Sequence, residues 1–219
     1  MLGIETGSWR SIVILVSPLL LIVIYRLLLK ALIQLTSYAW IICNIFYYLL
    51  WCLPFVMLLS ETPFKVLLGS FKPRKVADRM NQAIILIIVI FFIFIGTSSF
   101  INNRELILRY LPQTILFMII NPIFEELYWR GLLFGKFREK WLLSATYSSI
   151  MFGLFHYIAL YPLIPHLLTP TTLITITIFG FLWAILYHLS DSLFPPYICH
   201  SISDIVGYLA MSGLLTIIA

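Results

Sequence analysis

This sequence predicts an all-α, polytopic membrane protein with about seven transmembrane helices, within a range of six to eight. Three observations carry that. The chain is 62% hydrophobic and 11% charged, with a mean hydropathy of +1.03. Soluble domains average roughly 45–50% apolar and about 25% charged residues. Apolar runs near the ~20 residues a bilayer span requires recur along its whole length. Charged residues fall mostly between those runs, and where three of them interrupt a run they stand close together.

The runs are 12–29, 31–59, 83–100, 111–137, 142–161, 171–189 and 193–219. They read as one transmembrane domain, 1–219. No small-residue cleavage site follows the first run, so it reads as a retained span. The break after it is short and carries Arg26 and Lys30, marking a tight turn or snorkelling side chains. The second run is long and contains Pro54, which predicts a kink or a steep tilt. The segment 64–80 mixes Phe64, Val66, Leu67, Leu68 and Phe71 with a basic cluster. It reads as a topology-setting loop, or as an interfacial helix on the anionic inner leaflet.

Basic residues orient the chain. With the N-terminus inside, the cytoplasmic side carries Arg10, Lys65, Lys72, Arg74, Lys75, Arg79, Lys136, Arg138 and Lys140. The outer side carries Arg26, Lys30, Arg104 and Arg109. Nine against four favours a cytoplasmic N-terminus. The net charge of +5 is accounted for by these loops and gives no reason to expect nucleic acid. Cys43, Cys52 and Cys199 lie in apolar segments without metal or redox spacing and read as small core side chains.

Three runs carry polar groups that burial in lipid makes expensive. The fourth has Glu125, Glu126 and Arg130; the fifth has Phe152 and His156; the seventh has His200 and Asp204. Residues four apart share a helix face. Glu126 can therefore pair with Arg130, while Glu125 points about 100° away and is free to face a cavity. A Glu–His pair can activate a water as general base and orienter. A Glu with two His (Glu125, His156, His200) can instead form a three-ligand zinc site with an open position. A His beside Asp204 can bond a developing oxyanion. Each reading fits hydrolysis of an acyl bond within the membrane. The His-Glu-x-x-His and Gly-x-Ser-x-Gly elements are absent. At a rise of ~1.5 Å per residue, Glu125 and His156 reach similar depths, about 18 and 22 Å into their runs. His200 lies only about 8 Å past Pro195, unless the last helix has a recessed start after Pro195 and Pro196.

The ordered trio resembles the CAAX protease and bacteriocin-processing family of intramembrane endopeptidases, also called the Abi family. Glu125, Glu126 and Arg130, followed by Gly131, meet its Glu-Glu-x-x-x-Arg motif. Phe152 and His156, with Ser149 and Gly153, meet Phe-x-x-x-His. His200 and Asp204 meet His-x-x-x-Asn/Asp. The match covers about 110–210, a catalytic core within the single domain. The resemblance implies that Glu125 activates water with His156, that Glu126 and Arg130 form a structural pair with Phe152 nearby, and that His200 and Asp204 stabilise the oxyanion or hold the set. It implies a peptide or protein substrate, prenylated or otherwise membrane-associated. The short chain resembles the bacterial or archaeal members, in the prokaryotic cell membrane. A metal-free mechanism is favoured, with zinc as the alternative. The competing readings are a proton- or ion-coupled transporter, which inverted repeats would accompany, and a non-catalytic bacteriocin-immunity protein. His166, His188 and Asp191 read as ordinary residues at span ends, with Asp191 solvated. Ser148 and Ser149 read as small residues permitting close helix packing.

Overall fold

The structure is a computed structural model that describes residues 9–76, 78–109, 119–165, 168–204 and 207. Among them the regular elements are eight helices, with no strand. Five are long and apolar enough to cross a membrane: α1 (Trp9–Ile33), α2 (Ala39–Leu59), α4 (Arg79–Arg109, apolar to Ser98), α6 (Arg138–Ala159) and α7 (Pro170–Ser190). A short α3 (Phe64–Gly69) lies between α2 and α4. The two remaining predicted spans are described in part: α5, helical over 119–136, and α8, helical over 194–204. Their other portions, 111–118 and most of 205–219, lie outside the described residues, as does His166.

Helix α1 continues through Arg26 and Lys30, so neither marks a turn; the turn lies at 34–38 and α2 begins at Ala39. Arg26 instead donates from Nη1 to the Ile158 carbonyl, 3.1 Å away, satisfying a carbonyl that the end of α6 leaves open. Helix α2 is π-helical over Phe46–Cys52 and returns to α-geometry over Leu53–Leu59, with Pro54 in the first turn of that last piece. Proline clashes with the carbonyl four residues back, and a locally widened turn just before it relieves that clash. In the segment 64–80 only α3 is helical before α4 starts, so it is no continuous interfacial helix. Leu67 is buried, and the loop after α3 is bonded to the chain between α7 and α8. Leu193 N–H donates to Ser70 O at 2.9 Å, and Ser192 Oγ donates to Ser70 O and Lys72 O at 2.8 Å each.

That attachment covers the start of α8. Ser192 and Leu193 are fully buried beneath the loop after α3, so α8 starts under cover at the end of the bundle. Asp191, in the left-handed region at φ 50°, makes the sharp exit from α7. It is not merely solvated: it pairs with Arg74 at 2.5 Å and with Arg138. Lys136 pairs with Glu61. The segments 60–76, 135–140 and 191–193 thus meet at one end of the bundle.

Helices α1 and α6 run parallel: Tyr147 OH bonds Leu15 O near one end, and Arg26 bonds Ile158 O near the other. Helices α6 and α7 pack through small residues. Ser148 and Ser149 bond back to Ala145 O, and a methyl on Gly153 would collide with Thr177 Oγ1. The core is aromatic, with Trp129 edge-on to Tyr128 and Phe152, and Tyr25 edge-on to Tyr47 and Phe155. Exposed Leu20, Leu27, Ile87 and Phe94 form the outward apolar surface a lipid environment calls for.

Candidate active site

Four helices bring the polar residues together, and three of the four carry a π-helical stretch at that point. These are Phe46–Cys52 in α2, Leu127–Phe134 in α5 and Phe155–Ala159 in α6. Such i→i+5 turns are rare and concentrate at functional sites. They re-aim Tyr47 and Tyr48, Arg130, and His156.

Glu125, His156, His200, Asp204 and Phe152 all line one cavity of about 580 Å³. Glu126 and Arg130 are completely buried behind it. His156 Nδ1 lies 2.9 Å from the Phe152 carbonyl, to which it can only donate. Nε2 of the neutral ring is then an acceptor, and it faces Glu125 Oε1 at 4.0 Å. Two acceptors at that separation match the two hydrogens of one water.

His200 is held from its other side. Nδ1 donates to Glu126 Oε1 at 2.7 Å, and the ring stacks on Trp183 at 4.1 Å and 18°. Nε2 lies 3.1 Å from Glu125 Oε2 and 3.4 Å from Asp204 Oδ1, without hydrogen-bond alignment to either. The grip on His200 is therefore that of Glu126 on another helix, rather than of Asp204 one turn away.

Glu126 Oε1 also accepts from Arg130 Nη1 at 3.2 Å. The guanidinium donates from Nη2 to Gly180 O at 3.0 Å and lies over the rings of Phe152, at 4.8 Å, and Trp183, at 5.2 Å. A charge in lipid requires this kind of enclosure, by a counter-charge, a carbonyl and aromatic faces. Gly180 is needed for the close approach, because a Cβ there would sit 3.3 Å from both Arg130 Nη2 and Phe152 Cδ1.

A zinc site on Glu125, His156 and His200 needs three donors aimed at one point. Among the described residues no three His, Cys, Asp or Glu side chains are so arranged, while the Nδ1 bonds of His156 and His200 leave each Nε2 available as a donor.

Asn121, Tyr48, Trp183 and Gly180 belong to the site but are not singled out by the sequence reading. Asn121 alone had a legible signal: a polar side chain inside an apolar run, one turn before Glu125. Its Nδ2 donates to Asp204 Oδ2 at 2.7 Å and lies 3.4 Å from Glu125 Oε2, while its Oδ1 accepts from Tyr48 OH at 2.7 Å. The other three depend on partners 50 or more positions away or on ring stacking.

Residues 107–206, which contain all three motifs, match the family model described as Rce1-like, type II CAAX prenyl endopeptidase. No curated protein and no solved structure matches the chain.

Proposed function

We propose that this chain is a CAAX-type membrane endopeptidase, as the match over residues 107–206 supports, and that it hydrolyses a peptide bond inside the bilayer with a water activated by Glu125 and His156. The observation that carries this reading is the pair of facing acceptors, Glu125 Oε1 and His156 Nε2, 4.0 Å apart on the cavity wall. A water between them donates both hydrogens and turns its lone pair toward the cavity. Its oxygen attacks the substrate carbonyl carbon while one proton passes to Glu125. Charge develops on the carbonyl oxygen, and His200, carrying a proton on each ring nitrogen in this step with Nδ1–H held by Glu126, offers Nε2–H as its donor. The tetrahedral intermediate collapses as the C–N bond breaks, and the proton taken up by Glu125 goes to the departing amine. Glu126 and Arg130 touch no reacting atom; they hold His200 in place. No metal takes part in this reading.

The substrate is a membrane-associated peptide or protein, including one that carries a prenyl group. Support comes from the lining of the cavity away from Glu125, where Phe92, Ile95, Leu160, Ile164, Ile176 and Phe179 present an apolar wall. The N-terminus is cytoplasmic in this reading, supported by the meeting of the basic segments 60–76 and 135–140 at one end. The test is incubation of the purified, detergent-solubilised protein with prenylated and unprenylated C-terminal peptides, with product identified by mass. Cleavage that disappears in Glu125→Gln supports the reading, and absence of cleavage of every membrane-associated peptide offered refutes it.

A further inference from the structure

Three carboxylates converge on His200: Glu125, Glu126 and Asp204. A carboxylate only accepts hydrogen bonds, and a buried one without a donor is destabilising. Glu126 is matched by Arg130 and by His200 Nδ1. Asp204 is different. Among the described residues its one aligned hydrogen bond is from Asn121 Nδ2, at 2.7 Å.

The direction of that amide is not arbitrary. Tyr48 OH donates to Asn121 Oδ1 at 2.7 Å, which leaves Nδ2 as the end turned toward Asp204. The tyrosine is itself held, stacked on Phe124 at 5.1 Å and 13° and almost fully buried. The second Nδ2 hydrogen points toward Glu125 Oε2, at 3.4 Å. That oxygen faces away from His156, whose partner is Oε1. Asn121 thus ties Asp204 on α8 to the hydrolytic helix α5 and steadies the far oxygen of Glu125. It does so with a neutral donor, in a place where a second cation would compete with Arg130 for the carboxylates.

We propose that Asn121, oriented by Tyr48, is a positioning residue that locks Asp204 to α5 and fixes the rotation of the Glu125 carboxylate. This rests on the hydrolytic reading above for its consequence in catalysis, and on geometry alone for the lock itself.

The experiment is a double-mutant cycle on the purified full chain with Asn121→Asp, Asp204→Asn and the two combined, read by kcat and KM and, on the same samples, by thermal unfolding. Asn121→Asp sets two carboxylates against each other, whereas the combined exchange restores one donor facing one acceptor. Asn121→Asp is expected to lower kcat about 10–100-fold with KM little changed, the size of a lost hydrogen bond to a buried charge. The combined variant should exceed the product of the two single effects at least about tenfold in kcat, and should melt higher than additivity predicts. Tyr48→Phe should give a smaller loss of kcat in the same direction. Additivity in both readouts, or a wild-type kcat in Asn121→Asp, overturns the proposal while leaving the protease reading intact. If the wild type cleaves nothing, the protease reading fails, and additivity or coupling in the melting data still decides the lock.

Discussion

His200 Nδ1 donates to Glu126 Oε1 at 2.7 Å, across 74 positions of sequence. This bond joins α8 to α5 and gives the two adjacent glutamates separate tasks. Glu126 faces inward, neutralised by Arg130 and gripping the histidine. Glu125 faces the cavity. A single rotation step along the helix separates a carboxylate buried in the bundle from one that lines the cavity.

Glu125→Gln is expected to keep the fold and lose hydrolysis. Glutamine has nearly the same shape, so packing survives, but it accepts no proton from water. The loss should be about 10²–10⁴-fold in kcat, with the melting temperature little changed. A cleavage assay with a zinc measurement on both proteins checks this. Full activity in the variant removes Glu125 from the mechanism. Stoichiometric zinc in the wild type, lowered in the variant, overturns the metal-free reading.

Arg130→Ala should be among the most damaging substitutions in the chain. It leaves Glu126 buried without its cation, takes the donor from Gly180 O and opens space between Phe152 and Trp183. Stranding a buried charge costs about 3–5 kcal/mol. Poor yield and a sharply lowered melting temperature in detergent are expected; normal behaviour in both would contradict the structural role given to the pair.

Gly180→Ala tests the close approach of α7 to the site. In an unconstrained helix alanine gains up to about 1 kcal/mol over glycine. Here the new methyl meets Arg130 Nη2 and Phe152 Cδ1 at 3.3 Å and the Ser149 Cα at 3.4 Å. The guanidinium is pinned by Glu126, the ring is wedged, and the third neighbour is backbone, so none yields easily. Overpacking costs about 1–3 kcal/mol, so destabilisation is expected in thermal unfolding, with reduced activity as Arg130 shifts.

Asp191→Gly should be almost silent. Glycine adopts the left-handed φ of 50° freely, a gain of roughly 1 kcal/mol over a residue with a Cβ. The variant loses pairs with Arg74 and Arg138, which are partly exposed and worth about 0.2–1 kcal/mol each. The net change in stability should lie within about 1 kcal/mol. Asp191→Val, with a branched Cβ at the same φ and the same pairs lost, should be clearly worse in the same melting experiment.

Sequence alone determined the class of this protein and the identity of most of its site. Apolar length specifies membrane helices, because a bilayer leaves the backbone few alternatives. Charges inside those runs are conspicuous for the same reason, which is why Glu125, Glu126, Arg130, His156, His200 and Asp204 stand out unaided. The i, i+4 spacing also made the Glu126–Arg130 pair legible, being a property of one helix. What the tertiary structure decided are the contacts between helices. That Glu126 rather than Asp204 grips His200 depends on how α8 seats against α5. The covered start of α8 depends on Ser192 and Leu193 bonding to Ser70, more than 120 positions away. Asn121, Tyr48 and Gly180 gain their importance only where separate helices touch. The π-turns that aim several of these groups are responses to packing and to Pro54, with no residue pattern of their own. Local periodicity encodes which face a side chain takes; which partner waits on that face is settled by the packing of the whole bundle.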